Sequence, residues 1–221
     1  MRALPKPQAV IFDWDDTLVD NWNTAFKALN TALVHMGAPP WTEDEARRRS
    51  GPSAKDLFTQ LFGADRWKEA DKVYYDTFCA LVLDNVRLHD KAEDFLNALQ
   101  KNNIYMAVVS NKRGHLLRKE VEHLGFNRYF GKVIGAGDAA ADKPDPAPLL
   151  LSLEGSGIPP GPAVWYVGDS HTDMMCALRA GCTAVLIETK PPPEDLLIKN
   201  PPTGRVRHHG DLMELLDRHF G

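Results

Sequence analysis

The chain has 221 residues, of which 43% are hydrophobic and 25% charged, and 26 Lys and Arg against 30 Asp and Glu give a formal net charge of −4. This composition is that of an ordinary globular protein and excludes wholesale disorder or a fibrous repeat. The acidic balance argues against nucleic acid as a main partner. The first apolar run, 9–12, is too short for a signal peptide or a membrane span, so we expect a cytoplasmic protein with no membrane partner.

Apolar runs of strand-forming residues alternate with helical patterns along most of the chain. The predicted strands are 9–12, 105–109, 133–134, 164–167 and 184–187. The predicted helices that follow them are 92–100, 116–124, 146–153, 173–180 and 211–219. Because strands that alternate with single helices form βαβ units, we predict an α/β fold with a Rossmann-like, doubly wound parallel sheet.

The interval 21–85 breaks this alternation, because it contains helical patterns but no good strand. Its helical stretches are 22–36, 44–49, 54–62 and 66–83. We therefore predict a Rossmann-like catalytic core of residues 1–20 and 86–221, with an all-helical cap, 21–85, inserted after the first strand. The proline-rich segment 190–204 is predicted to be a surface loop, and no role is assigned to it.

Polar residues stand where the predicted strands end or in a proline-rich turn. They are Asp13, Asp15, Asp16 and Thr17, then Ser110 and Asn111, then Lys143 in the turn, and finally Asp169 and Asp173. In open α/β sheets, ligands bind beyond the carboxyl ends of the strands. Carboxylates that converge there repel one another and are costly to bury unless a cation compensates them, whereas a single Asp could simply cap a helix. Oxygen ligands alone favour a hard cation, for which Mg²⁺ is the best candidate.

In their order and spacing, Asp13-x-Asp15-x-Thr17, Ser110, Lys143 and Gly168-Asp169-x-x-x-Asp173 resemble the four motifs of the haloacid dehalogenase superfamily. The position of the insertion is similar to that of the small helical cap in its phosphoglycolate phosphatase-like subgroup. The resemblance implies a phosphatase in which Asp13 is the nucleophile and forms an aspartyl-phosphate. It also implies that Asp15 is the general acid and base.

The same resemblance implies roles for the other motif residues. Thr17, Ser110 and Asn111 would bind the phosphoryl oxygens, and Lys143 would offset the negative charge around the nucleophile. The Mg²⁺ ion would be held by Asp13, Asp169 and the main-chain carbonyl of Asp15, with Asp173 in support. Superfamily members often have Gly at the position of Asp16, and we expect the Asp16 side chain to point away from the phosphate.

Specificity is expected to lie in the helical insertion, because the core supplies only phosphoryl chemistry. Arg49 and Lys55 are candidates for binding an anionic substrate, although a solvated basic helix end is an equally good interpretation of this turn. The expected partner is a small phosphorylated metabolite, and the chain is expected to be a monomer or a homodimer.

Three alternatives stay open. A phosphoglucomutase-like phosphoryl transferase would share every core residue and differ in the cap. A 2-haloacid dehalogenase would need neither the acid Asp15 nor a metal ligand at Asp169. A non-enzymatic phospho-aspartate signalling module would be shorter than this chain and would lack the helical insertion.

Overall fold

A six-stranded parallel sheet forms the centre of the protein. The computed structural model describes residues 4–49, 52–189 and 194–220. The strands of this sheet are β1 (Ala9–Phe12), β4 (Tyr105–Arg113), β5 (Lys132–Ala136), β6 (Val164–Gly168), β7 (Thr183–Ile187) and β8 (Gly204–Val206). They lie in the order β5-β4-β1-β6-β7-β8, and every neighbouring pair is parallel. The predicted doubly wound α/β fold is therefore confirmed.

Helices cover both faces of this sheet. The helices outside the 21–85 interval are α4 (Ala92–Lys101), α5 (Gly114–His123), α6 (Ala147–Leu153), α7 (His171–Arg179), α8 (Glu194–Leu197) and α9 (His209–Phe220). All four residues of β1 are fully buried, and they alternate between two apolar clusters. Val10 and Phe12 pack with α4, α5 and α9, whereas Ala9 and Ile11 pack with α6 and α7. Burial on both faces explains why the central strand is a continuous apolar run.

The interval 21–85 contains α1 (Trp22–His35), α2 (Glu43–Arg48) and α3 (Ala54–Asn85). We call residues 22–85 the helical insertion. Within α3, Gly63 has a φ of 80°, which breaks the helix between the two predicted stretches 54–62 and 66–83. The division into a core and a separate cap domain stays a prediction.

A short antiparallel ribbon, which the sequence does not predict, joins the helical insertion to the sheet. It consists of β2 (Val19–Asp20) and β3 (Arg87–Leu88), and Val19 pairs with Leu88. The chain passes through this ribbon both when it enters the insertion and when it leaves it. Two residues per strand are too few to show the alternation that reveals a strand in a sequence.

The predicted loop 190–204 is only partly a loop. Residues 190–193 lie outside the described part of the chain, α8 covers 194–197, and β8 begins at Gly204 and pairs with β7. Leu197 is buried against the α6–α7 side of the sheet, so part of this segment belongs to the core. Among the residues described, none of the helices combines the length and apolar character needed to cross a membrane.

Candidate active site

Three strand ends bring the predicted residues to one edge of the sheet. Asp13 follows β1, and its backbone N–H donates to the carbonyl of Val167 on the neighbouring strand β6 at 2.9 Å. Asp169 follows β6 directly. Strand β4 runs past its predicted end at residue 109 and carries Ser110, Asn111 and Lys112, with a register irregularity between Val109 and Arg113.

A buried ion-pair cluster lies at this edge. The ammonium group of Lys143 is 2.8 Å from Asp13 Oδ1 and 2.7 Å from Asp173 Oδ1, and it also donates to the carbonyl of Val109 at 3.1 Å. Asp13, Asp169 and Asp173 each offer a carboxylate oxygen, and these three oxygens lie within 4.8 Å of one another. Residues that are 160 positions apart in the sequence, from Asp13 to Asp173, therefore share one buried cluster.

The positive charge of Lys143 does not balance the negative charge of these three carboxylates. Burial raises the pKa of Asp13 to about 7, because desolvation outweighs the attraction of Lys143. Burial also raises the pKa of Asp169 well above its usual range, and the charges of Asp16, Asp173 and Asp13 raise it further. Carboxyl groups that resist ionisation together are those that a divalent cation would stabilise, so the donor set fits a hard metal ion.

The oxygens of Asp173 already have partners. Its Oδ1 accepts from Lys143 and from the hydroxyl of Tyr166 at 3.2 Å, and its Oδ2 accepts from the backbone N–H and the hydroxyl of Ser170 at 3.0 and 2.6 Å. Ser170 and Asp173 form the capping box at the start of α7. Asp173 therefore holds Lys143 in place, whereas Asp13 and Asp169 are better placed to bind a metal.

Asp15 belongs to a second polar network, which the sequence analysis missed. Its Oδ1 is 2.7 Å from the ammonium of Lys112 and 3.0 Å from the amide nitrogen of Asn21. Lys112 is also 2.8 Å from both carboxylate oxygens of Glu120, which accepts further hydrogen bonds from Asn21 and from the indole N–H of Trp14, each at 2.9 Å. This Lys112–Glu120 network fixes Asp15, whose side chain is 35% exposed, at the rim of the pocket.

Asp16 has a φ of 56°, a backbone conformation that glycine adopts most easily and that Asp tolerates better than most residues. This explains how Asp can stand where relatives of the superfamily often have Gly. Asp16 lines the same cavity as Asp13, and its charge contributes to the raised pKa of Asp169. Asp16 thus adds negative charge to the site, and the expectation that its side chain points away from the phosphate stays a prediction.

The three residues expected to bind phosphoryl oxygens occupy different environments. Thr17 is fully buried, with its hydroxyl 3.5 Å from Asp169 Oδ1. Ser110 lines the cavity, and its hydroxyl oxygen accepts the backbone N–H of Lys112 at 3.3 Å. Asn111 also lines the cavity, but its amide pairs with the backbone of Lys143 through two hydrogen bonds of 2.9 and 3.0 Å, so its side chain anchors the lysine loop.

A cavity of about 210 Å³ opens above these residues, between the strand ends and the helical insertion. Of the two candidates for binding an anionic substrate, Arg49 lines it. Lys55 is not among the lining residues, and its ammonium group lies 5.9 Å from the centre of the Trp67 ring. The structure thus brings Arg49, but not Lys55, to the site.

Comparison with known proteins decides the family. The model of the haloacid dehalogenase-like hydrolase family matches residues 10–187, from β1 to the end of β7. The chain belongs to this family. As a haloacid dehalogenase-like hydrolase it is an enzyme, and the resemblance predicted from its four motifs is confirmed.

Named relatives support this membership. The hydrolase is 30% identical over 189 residues to phosphoglycolate phosphatase 1 of Pseudomonas aeruginosa, an alignment that covers 81% of this chain and 69% of the relative. It is 27% identical over 222 residues to the phosphoglycolate phosphatase of Aquifex aeolicus, with 96% and 98% of the two chains covered. Among solved structures, a HAD-superfamily hydrolase from Ehrlichia chaffeensis is 30% identical, has a TM-score of 0.67 and covers 99% of this chain and 100% of its own.

Proposed function

We propose that this hydrolase is a Mg²⁺-dependent phosphatase that cleaves a small phosphomonoester through an aspartyl-phosphate on Asp13. The observation that carries the proposal is the buried cluster in which Lys143 lies 2.8 Å from Asp13, at the same strand edge as Asp169. The relatives named phosphoglycolate phosphatases support phosphoryl chemistry at this edge.

In the first step, an oxygen of Asp13 attacks phosphorus, and the bond between phosphorus and the ester oxygen breaks. Lys143 holds Asp13 Oδ1 and so fixes the orientation of the attacking carboxylate. Asp15, two residues further along, gives a proton to the departing alcohol oxygen. Covalent catalysis of this kind divides one difficult displacement into two easier ones.

In the second step, Asp15 removes a proton from a water molecule that attacks the aspartyl-phosphate. Inorganic phosphate leaves, and Asp13 is restored. The Lys112–Glu120 network keeps Asp15 at the rim of the pocket. From this position Asp15 would serve both the departing alcohol and the incoming water. The hydroxyl of Ser110 and the backbone N–H groups that follow Asp13 and Ser110 are the proposed donors to the phosphoryl oxygens.

The carboxylates of Asp13 and Asp169 and the main-chain carbonyl of Asp15 are the proposed metal ligands, with Asp173 supporting the site by holding Lys143. When bound, Mg²⁺ supplies positive charge that lowers the repulsion between the phosphate and the nucleophile. The raised pKa values of Asp13 and Asp169 support this assignment, since both groups lack sufficient positive charge in the protein alone.

The test is phosphate release from a panel of phosphomonoesters with and without Mg²⁺, with 2-chloropropionate as the dehalogenase control. Removing one charge-stabilising group costs roughly 10²–10³ in rate, and Asp13→Asn should cost at least that much because it also removes the nucleophile. The matched control is Asp217→Asn, a change at an exposed position of α9. Near-normal turnover by Asp13→Asn would refute the assignment of Asp13 as the nucleophile.

Two further outcomes bear on the rest of the proposal. Activity that survives exhaustive chelation would refute the role of the metal. Chloride release without phosphate release would instead identify a dehalogenase.

A further inference from the structure

The cavity above the strand ends has two halves of different chemistry. Its floor is the polar edge of the sheet, with Asp13, Asp15, Lys143 and Asp169. Its roof is formed by the helical insertion and includes Trp22, Phe26, Leu29, Trp41, Leu57 and Phe58. The polar floor would bind the phosphate group of the substrate. The alcohol part would then contact the roof.

In the described part of the insertion, the charged groups that line this roof are two arginines, each stacked on a tryptophan. The guanidinium of Arg47 lies 4.0 Å from the centre of the Trp22 ring, and that of Arg49 lies 4.6 Å from the centre of the Trp41 ring. Arg47 is paired with Glu43 at 2.5 Å, which offsets its charge. Within residues 4–49, 52–189 and 194–220, Arg49 forms no ion pair, although its charge is near enough to Glu45 to help lower the pKa of that carboxyl.

Other polar groups on the roof are scarce. Among the residues described, the insertion (22–85) lines the cavity with no carboxylate, no amide and no serine or threonine. The hydroxyls of Tyr74 and Tyr75 and the indole N–H groups of Trp22 and Trp41 accompany the two guanidinium groups, and the amide of Asn21 lies at the border with the floor. A polyol that entered this space would exchange hydration for an apolar surface, and its unpaired hydroxyls would weaken binding. A two-carbon acid would fill the floor and leave most of the aromatic surface without contact.

We propose that the alcohol part of the substrate has a flat, apolar body, which packs against the aromatic roof, and an anionic group that binds Arg49. The substrate class is thus a phosphomonoester of an aromatic or similarly apolar alcohol that carries a second acidic group. This inference rests on the proposed phosphatase function and specifies the substrate of the same site. It follows the general rule that apolar walls supply binding energy and a few charged groups fix orientation.

The experiment compares kcat/KM for four phosphomonoesters of primary alcohols at saturating Mg²⁺. They are 4-carboxybenzyl phosphate, benzyl phosphate, 2-phosphoglycolate and glycerol 1-phosphate. We expect both benzyl esters to exceed the two small polar esters. We also expect the carboxylated benzyl ester to exceed the plain one by about 10- to 100-fold, the value of a charge-assisted hydrogen bond.

Two neighbouring arginines provide a matched pair of variants. Arg49→Met should reduce the preference for 4-carboxybenzyl over benzyl phosphate by about 10- to 100-fold, mainly through KM. Arg48→Met should leave that preference unchanged, because Arg48 is outside the cavity lining, is 61% exposed and lies 3.8 Å from Asp195.

The possible results separate the two proposals. Efficient hydrolysis of phosphoglycolate or glycerol phosphate, with slow turnover of both benzyl esters, would overturn the substrate class while leaving the phosphatase function intact. Equal effects of Arg48→Met and Arg49→Met would overturn the anion-binding role of Arg49. No phosphate release from any ester, including 4-nitrophenyl phosphate, would overturn the proposed function and this inference with it.

Discussion

Replacing Lys112 with Met removes the ammonium group that joins Asp15 to Glu120. Lys112 lies 2.7 Å from Asp15 and 2.8 Å from Glu120, and the side chains of Lys112 and Glu120 are only 6% and 1% exposed. Methionine keeps the length and apolar character of the lysine stem, so the substitution chiefly removes charge. It leaves Glu120 buried without its cation.

The expected loss of stability follows from this burial. Removing one partner of a buried ion pair typically costs about 3–5 kcal/mol, because the other charge stays in the interior. Burial raises the pKa of Glu120, and Trp14 and Asn21 still donate to it, so protonation and hydrogen bonds limit the damage. We therefore expect a loss near the lower end, about 3 kcal/mol. Adding Glu120→Gln removes the unpaired buried charge of Glu120 and should restore part of the lost stability.

Chemical denaturation of the single and double variants in Mg²⁺ measures the stability effect. A Lys112→Met protein as stable as wild type, or a double variant less stable than the single one, would refute the reasoning. Kinetics test the link to Asp15, since a displaced acid should slow benzyl phosphate, which has a poor leaving group, more than 4-nitrophenyl phosphate. Equal losses on both esters would show that Lys112 only supports the fold.

Three other predictions concern the metal, the insertion and pH. At a Mg²⁺ concentration of 100 Kd the ion should stabilise the wild type against unfolding by about 2.7 kcal/mol. Thermal denaturation should show that Asp169→Asn loses this stabilisation. In the wild type the stabilisation should be smaller at pH 5 than at pH 8, because protons compete with the ion for Asp13, whose pKa is raised to about 7. Asp71 of α3 is ion-paired with Arg113 at the end of β4. Asp71→Asn should therefore speed amide hydrogen exchange in α3 but not in β1. Unchanged exchange in α3 would contradict a stabilising role for this ion pair. Burial lowers the pKa of His209 to about 4, so the folded protein holds this side chain neutral. Neutral His209 contributes stability above pH 6.5, and this contribution should be lost as the pH falls towards 4. The free energy of unfolding should fall by about 3 kcal/mol over this range. Denaturation at several pH values should show that the free energy of unfolding depends less on pH in His209→Asn than in His208→Asn, a change at an exposed neighbour.

The sequence could predict the sheet and the carboxylate cluster because both depend on simple regularities. Buried parallel strands are continuous apolar runs, and their carboxyl ends meet at one edge, so Asp13 and Asp169 had to converge. Lys143 was noted as a basic residue in a proline-rich turn, but its role beside Asp13 was implied only by the motif resemblance. The roles of these residues in catalysis stay predictions.

The Lys112–Glu120 network was missed because its members come from separate elements, β4 and α5. One signal was nevertheless present. Glu120 lies three residues after Leu117 and next to Val121, both buried, so a carboxylate occupies the apolar stripe of α5. A charged residue in such a stripe indicates a buried partner.

The choice between Arg49 and Lys55 had no comparable signal. Both belong to one basic turn, and which of them meets the cavity depends on how α2 and α3 pack above the sheet. The antiparallel ribbon of β2 and β3 was hidden for a different reason, since the pairing of Val19 with Leu88 joins residues 69 positions apart through strands of only two residues.

Asn21 stands where the chain leaves β2 and enters α1, and its amide donates both to Asp15 and to Glu120. A swing of α1 that uncovers the cavity would pull this amide away from the carboxylate it holds. Uncovering the pocket would then also remove one of the two donors, Asn21 and Lys112, that orient the proposed acid Asp15. An ester bound in an uncovered pocket would meet the proposed nucleophile with a less firmly oriented acid, so bond cleavage would be faster when the pocket is covered.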